Sequence, residues 1–316
     1  MTDAVSRASL AAVTLLAFGR AAAGQAWVPP AGLGSVNLTY QTIDNAGHRE
    51  TDGTQIDDGK STNIGLAVEI EYALTDRLSI SGGVPYVFSK YVGPHAPPPP
   101  IPDLPIDSCR CWHSGWQDFA FTARYNLFNG AFGLTPSISV GVPSHDYDFR
   151  GEATLGSDLK ELRLGVDAGQ RLGAISPKLS VQARYSYAVV ERALDIRHNR
   201  STVAGEAGYV VTRRLSARGF VSWQHTHGGL RFGSHTPGAA LPWPGEVDTP
   251  ERLFQHDRLL KDNNWRAGAG VAYSLPQFDV FGSYVDYVAG TDSHAGHVFT
   301  VGVSWPFEVD RPSKQP

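Results

Sequence analysis

From residue 34 onward, apolar and polar side chains alternate with a period of two, the pattern of a strand whose faces meet different environments. Over residues 265–275 one face carries Trp265, Ala267, Ala269, Val271, Tyr273 and Leu275, and the other carries Arg266, Gly268, Gly270, Ala272 and Ser274. Phe119, Phe121, Ala123, Tyr125 and Leu127 oppose Asp118, Thr122, Arg124 and Asn126 in the same way. Leu162, Leu164, Val166 and Ala168 oppose Glu161, Arg163, Asp167 and Arg171. The pattern predicts twelve strands, over about 34–43, 61–74, 78–91, 115–128, 132–143, 159–172, 177–190, 200–211, 215–227, 263–275, 278–289 and 296–307. Many of these exceed ten residues, against about 5–6 in an average soluble strand. A tilted strand that crosses a bilayer needs about 9–11.

The links support a membrane barrel independently. Thr75-Asp76-Arg77, Asn129-Gly130-Ala131, residues 173–176, Thr212-Arg213-Arg214 and Pro276-Gln277 are short. The links between them, 44–60, 92–114, 144–158, 191–199, 228–262 and 290–295, are longer and polar. Alternating tight turns and long outer loops characterise outer-membrane barrels, and an even strand count puts both termini on the periplasmic side. Aromatic residues fall near both strand ends. Tyr72, Tyr125, Tyr209, Tyr273 and Trp305 lie by the short turns; Tyr86, Phe88, Trp116, Phe119, Tyr187, Trp223, Trp265, Tyr287 and Phe299 lie by the long loops. Two such belts match two membrane interfaces. A twelve-strand interior is wider than side chains fill well, so the apolar face is expected to meet lipid and the polar face to line a lumen.

Composition agrees. Of 316 residues, 34 are Gly, 1 is Met and only 18% are charged. There is no apolar run near the ~18 residues a spanning helix needs, and a net charge of −4 offers no basic surface for nucleic acid. Residues 1–26 read as a signal peptide, with Arg7 before an apolar core at 8–19 and small-x-small patterns that permit cleavage after Ala23 or Ala26. Asp3 and Arg20 are atypical of such a segment, and a short amphipathic helix is the other reading. Residues 27–307 are then the barrel and 308–316 a periplasmic tail.

Trp27-Val28-Pro29-Pro30-Ala31-Gly32-Leu33-Gly34-Ser35-Val36 resembles the opening of a bacterial outer-membrane transporter family, the outer-membrane proteins of the phenol (meta-cleavage) degradation pathway. So do Tyr72-Ala73-Leu74-Thr75-Asp76-Arg77-Leu78 leading to Gly83-Val84-Pro85-Tyr86, and Gly115-Trp116-Gln117-Asp118-Phe119 leading to Ala123-Arg124-Tyr125-Asn126. The resemblance covers most of 27–307 and implies a twelve-stranded barrel with a transport role. Its motifs are turns and girdles, not chemistry. Many outer-membrane barrels end on an aromatic residue read by the assembly machinery; here Phe307 is followed by nine more residues.

With the polar face inward, the expected solute path carries the acids Glu69, Glu71, Asp118, Glu161, Asp167, Glu206 and Asp286. It also carries the bases Arg124, Arg163, Arg171, Lys178, Arg184, Arg218 and Arg266. Opposed charges across a narrow pore screen solutes by size and charge; the same charges could instead pair and fill a closed interior. Thr249 and Pro250 begin a helix in the 228–262 link, and Leu253, Phe254, Leu259 and Leu260 could fold over the mouth as a lid or face solvent as a flap. Export favours a disulfide between Cys109 and Cys111, although a ring with one intervening residue is strained. A metal site using Cys109, Cys111 and His113 is the weaker alternative, since the spacing is not that of a zinc motif. His225 and His227, with His235 beyond, raise a similar idea, but an interfacial pair on the lipid side suits them better. The adjacent Ser144, His145 and Asp146 should point apart along extended chain, there is no Gly-x-Ser-x-Gly elbow, and catalysis is not favoured. Asp52, Asp57 and Asp58 lack calcium-loop spacing.

The sequence thus predicts an exported, all-β, twelve-stranded antiparallel barrel of a Gram-negative outer membrane, passing small organic solutes, aromatic or hydrophobic ones included, passively and without cofactor. Its expected partners are membrane lipid, the solutes and the barrel-assembly machinery. The alternatives are a non-conducting structural or adhesive barrel and, further off, a lipid hydrolase.

Overall fold

A computed structural model describes residues 26–56, 59–93, 106–107, 109–231 and 249–309. The expected signal segment before Ala26, Asp57, Asp58, the prolines at 97–100, His235, the Leu253 side chain and the tail from 310 lie outside that description.

Twelve strands form the wall: β1 (Leu33–Arg49), β2 (Lys60–Ala73), β3 (Leu78–Val92), β4 (His113–Trp116 and Phe119–Tyr125), β5 (Phe132–Val142) and β6 (Glu161–Arg171). They continue as β7 (Leu179–Val190), β8 (His198–Val210), β9 (Leu215–Gly228), β10 (Asn263–Ser274), β11 (Asp279–Thr291) and β12 (Ser293–Glu308). Each pairs antiparallel with its sequence neighbour. β12 then pairs with β1, from Leu33 opposite Glu308 to Arg49 opposite Ser293, and closes the ring. Closure leaves no strand edge, the condition for burying backbone amides in lipid.

Exposure settles the facing. Phe121, Leu164 and Val271 are more than half exposed (53%, 52% and 54%), whereas Arg124 and Asp167 are 4% and 0% exposed. A soluble protein would bury the first set and solvate the second. The apolar face is the outside, as a bilayer requires.

Three features depart from the pattern. β1 runs six residues past the predicted end because a bulge between Asn45 and His48, with Gly47 at φ +103°, interrupts the alternation without ending the pairing. The expected link at 290–295 is a single residue, Asp292 at φ +49°, so β11 turns directly into β12 and the outer links are not uniformly long. Asp286 belongs to the exterior, not the lumen. A bulge at Trp265/Arg266 sets Tyr287 opposite Arg266, so buried Tyr287 points inward, and Asp286 lies outside opposite Ala267 and His297.

Two small apolar clusters lie among the strand ends and loops at the outer mouth. Val87 packs with Tyr147 and Leu155; Ala188 and Val190 pack with Leu159, Leu230 and Leu259.

Candidate functional site: a charged lumen covered at both ends

The inward charges are paired across strands. Asp167 on β6 lies 3.7 Å from Arg184, which faces it in register on β7. Glu206 on β8 accepts from Gln182 Nε2 at 3.0 Å and lies 3.8 Å from Arg218 on β9. Glu161 holds Arg200 on β8 and also, at 2.6 Å, Arg163 two residues along its own strand. Glu71 on β2 lies 4.0 Å from Arg124 on β4. That pair bridges over β3, whose inward Ser79 and Ser81 leave room for the guanidinium. Such pairing is how buried charge is tolerated at all. Glu69 is inward beside Gly83, Lys178 lies at the β6–β7 turn with its Nζ 3.4 Å from the Val211 carbonyl, and Arg171 is exposed at the same end.

One sector of the wall is aromatic as well as charged. Arg266 lies 4.4 Å from the centroid of inward Tyr287, and Arg218 lies 5.8 Å from Phe220. The Phe220 ring crosses Gly268, and the Phe281 ring crosses Gly302, where a Cβ would come within 2.7 Å and 2.3 Å of ring carbon. These glycines let the rings lie against the wall.

The Ala26–Trp27 segment lies against the inner wall at the short-turn end. Asn126 and Thr135 both donate to the Ala26 carbonyl, at 3.1 and 2.7 Å, and Arg124 donates to the Trp27 carbonyl at 2.7 Å. The Ala26 amide donates to Gln182 Oε1 at 3.1 Å, Trp27 Nε1 donates to the Gly130 carbonyl at 3.0 Å, and Arg171 stands 5.0 Å from the Trp27 ring. The seat is a pair of facing glycines, Gly133 and Gly169. A Cβ on Gly133 would meet the Ala26 carbonyl oxygen at 2.6 Å, and one on Gly169 the Ala26 Cβ at 2.6 Å. Sequence reasoning treated Trp27 only as the start of the barrel; the two glycines were the available sign that something lies against that wall.

The outer mouth is covered by the loop over residues 143–160 and by α1 (Pro250–Phe254) and α2 (His256–Leu259). Thr249 Oγ1 accepts from Arg252 N at 3.3 Å, the expected helix start. Leu259 and Leu260 are buried, so this segment is a lid packed into the mouth, not a solvent flap. Arg258 bolts the two loops together: its guanidinium lies 3.3 Å from the Phe149 ring centroid, 3.8 Å from Asp158, and donates to the Ser157 carbonyl at 3.2 Å. Asp118 sits in the gap between the two halves of β4 and accepts from the Tyr147 hydroxyl and, at 3.1 Å, from Ser157 Oγ. Its role is to hold the loop rather than to line a pathway. Burial and the Asp118 charge push the Tyr147 hydroxyl up, keeping it a donor. Asp107 accepts from the amides of Glu152 and Ala153, and burial raises its carboxyl to about 6.

Cys109 and Cys111 form a disulfide, with Cys109 Sγ 3.6 Å from His113 Nε2. His225 stacks on Trp223, and His227 Nε2 is 2.8 Å from Ser201 Oγ, both on the exterior. Contrary to expectation, Ser144 and His145 do touch, Oγ to Nδ1 at 2.8 Å, because the chain bends after β5. The hydroxyl donates to the Trp116 carbonyl, however, so the imidazole is a donor to it, not a base.

No protein-family model and no curated protein sequence matches the chain. Its fold is similar to that of an outer membrane channel from Pseudomonas putida F1, with a TM-score of 0.67 and 14% identity over 91% of this chain and 100% of that one. Looser likeness reaches the NanC porin (TM-score 0.48, 8% identity, 85% of this chain and 98% of that one). It also reaches the translocator domain of the autotransporter NalP from Neisseria meningitidis (TM-score 0.49, 12% identity, 96% and 95%). At these identities the similarity is one of fold: the protein is a twelve-stranded outer-membrane β-barrel.

Proposed function

We propose that the barrel is a passive outer-membrane channel for small organic solutes, with aromatic and anionic compounds as the favoured class. The observation that carries this reading is the lumen wall itself, where Arg218 and Arg266 stand beside inward Phe220 and Tyr287. A flat ring can slide along such faces while a carboxylate or phenolate is met by the guanidinium. The name of the Pseudomonas putida protein supports the channel role alone, and the resemblance of the Trp27–Val36 stretch to phenol-pathway transporters leans toward aromatic solutes. No energy-coupling element or cofactor is needed for diffusion down a gradient. Insertion through the barrel-assembly machinery accompanies this role.

The test is steady current across planar bilayers with the purified full chain, followed by uptake of benzoate and of a neutral sugar of similar size into liposomes. The reading expects open-level current and faster benzoate entry, slowed by Arg266→Ala. A second reading, a non-conducting structural barrel, is favoured by the pairing of the lumen acids with bases. Silence at all voltages would establish it instead.

A further inference from the structure

The lid meets the barrel wall at a knot of imidazoles and carboxylates that lies apart from the paired lumen charges described above. His48 lies near the end of β1, His294 near the start of β12, Glu152 on the 143–160 loop and Asp257 on α2. One ligand atom from each lies within 4.8 Å of all the others. Asp257 Oδ1 is 2.6 Å from His294 Nε2, Glu152 Oε2 is 3.8 Å from His48 Nε2, and the rings of His48 and His294 are 4.9 Å apart. His48 and Glu152 are buried.

Two imidazoles and two carboxylates are a zinc-class ligand set. Zinc takes such atoms tetrahedrally at about 2.0–2.2 Å, which places them about 3.3–3.6 Å from one another. The two imidazole–carboxylate spacings, 2.6 and 3.8 Å, straddle that range and no pair is wider than 4.8 Å, so the shifts needed are on the order of 1 Å. Calcium and magnesium prefer all-oxygen shells, whereas imidazole nitrogens suit zinc and its neighbours. The charges also match, two carboxylates against one divalent cation. A second layer holds the ligands in place: His256 Nε2 lies 2.7 Å from Glu152 Oε1, Asp107 accepts from the Glu152 amide at 2.8 Å, and Thr154 Oγ1 donates to Asp257 Oδ2 at 3.4 Å.

We propose that His48, Glu152, Asp257 and His294 bind one zinc-class divalent cation that pins the lid to the seam between β1 and β12. The four ligands come from four separate stretches of chain, so the cation joins both covering loops to the wall where the ring closes. Its occupancy would set how firmly the mouth is shut. The site does not depend on the solute path proposed above.

The full chain in detergent, stripped with chelator and titrated calorimetrically with zinc chloride, should take up one equivalent saturably. X-ray absorption at the zinc edge should show only nitrogen and oxygen neighbours, which excludes the Cys109–Cys111–His113 group. Glu152→Gln combined with His294→Gln should weaken binding at least about 100-fold, while His225→Ala leaves it unchanged. Heat-modifiable migration on gels checks that each variant is folded; where the double variant is not, the single His48→Gln is read in the same way. Absence of saturable uptake, sulfur in the coordination shell, or undiminished binding in the folded ligand variants would each overturn the proposal.

Discussion

The glycine seat at the short-turn end allows the Ala26–Trp27 segment to be displaced by single methyl groups. Gly133 and Gly169 face each other on β5 and β6, and their backbone φ values lie outside the left-handed region, so alanine fits the strand geometry. The new Cβ atoms, however, would stand 2.6 Å from the Ala26 carbonyl oxygen and 2.6 Å from the Ala26 Cβ. The wall is held by ladders on both sides, whereas the Ala26–Trp27 segment is held by a few hydrogen bonds, so that segment is the part that gives way. Overpacking of this kind costs about 1–3 kcal/mol. If the seated segment narrows the passage, that cost, borne by the seated state alone, is about a 5- to 150-fold shift toward a wider one. In planar bilayers Gly133→Ala and Gly169→Ala should therefore lengthen or enlarge openings. Gly65, where a Cβ would meet nothing within 4 Å, provides the control: Gly65→Ala should behave as wild type. If all three variants conduct alike, the segment at Ala26–Trp27 does not control the passage.

Arg258→Ala should loosen the lid by about 1.5–3 kcal/mol, the range for a charged hydrogen-bonding group, read as faster proteolysis of residues 249–262. The Asp107 carboxyl, raised to about 6 by burial, is protonated in the closed loop at pH values where an open loop would release the proton. Closure is thus favoured as pH falls from about 6 toward the ordinary value of 3.8, by at most about 3 kcal/mol, and that gain is lost as pH rises through 6. Closed time in bilayer recordings should lengthen between pH 7.5 and pH 5, and Asp107→Asn should flatten the trend. Asp167→Asn leaves Arg184 facing a neutral amide, and the reversal potential in a salt gradient should move toward anion selectivity; an unchanged potential would place the pair off the conduction path.

The strands were legible because a bilayer demands an apolar residue at every second wall position, whatever the loops do. The segment expected at 78–91 is Leu78–Val92, and that expected at 215–227 is Leu215–Gly228. Legibility failed where that demand lapses. Beyond Ile43 the wall has left the hydrocarbon and Gly47 introduces a bulge, so β1 faded from the pattern while its pairing continued. On β11 both faces carry aromatics, Tyr284 outside and Tyr287 inside, so simple alternation puts Asp286 on the wrong face. Lumen charges could be placed on the polar face, but their partners depend on register: Arg184 meets Asp167 only because β7 pairs one particular way with β6, and Glu71 reaches Arg124 across an intervening strand. The histidine–carboxylate knot has no sequence signature at all, because its members approach from four places separated by loops whose course no periodicity records.

Asp286 also fixes how deep the barrel can sink. It shares the outer surface with His297, Asp44 and Lys60; Lys60 Nζ lies 3.0 Å from Asp44 and His297 Nε2 lies 3.6 Å from it. A cluster this polar cannot be drawn into acyl chains, so on the flank of β11, β12, β1 and β2 the waterline runs below it, near exposed Phe299. Above that line the same strands stand clear of the acyl chains as a parapet among the lipid headgroups, and the lid rests on strand ends as well as on its neighbouring loop.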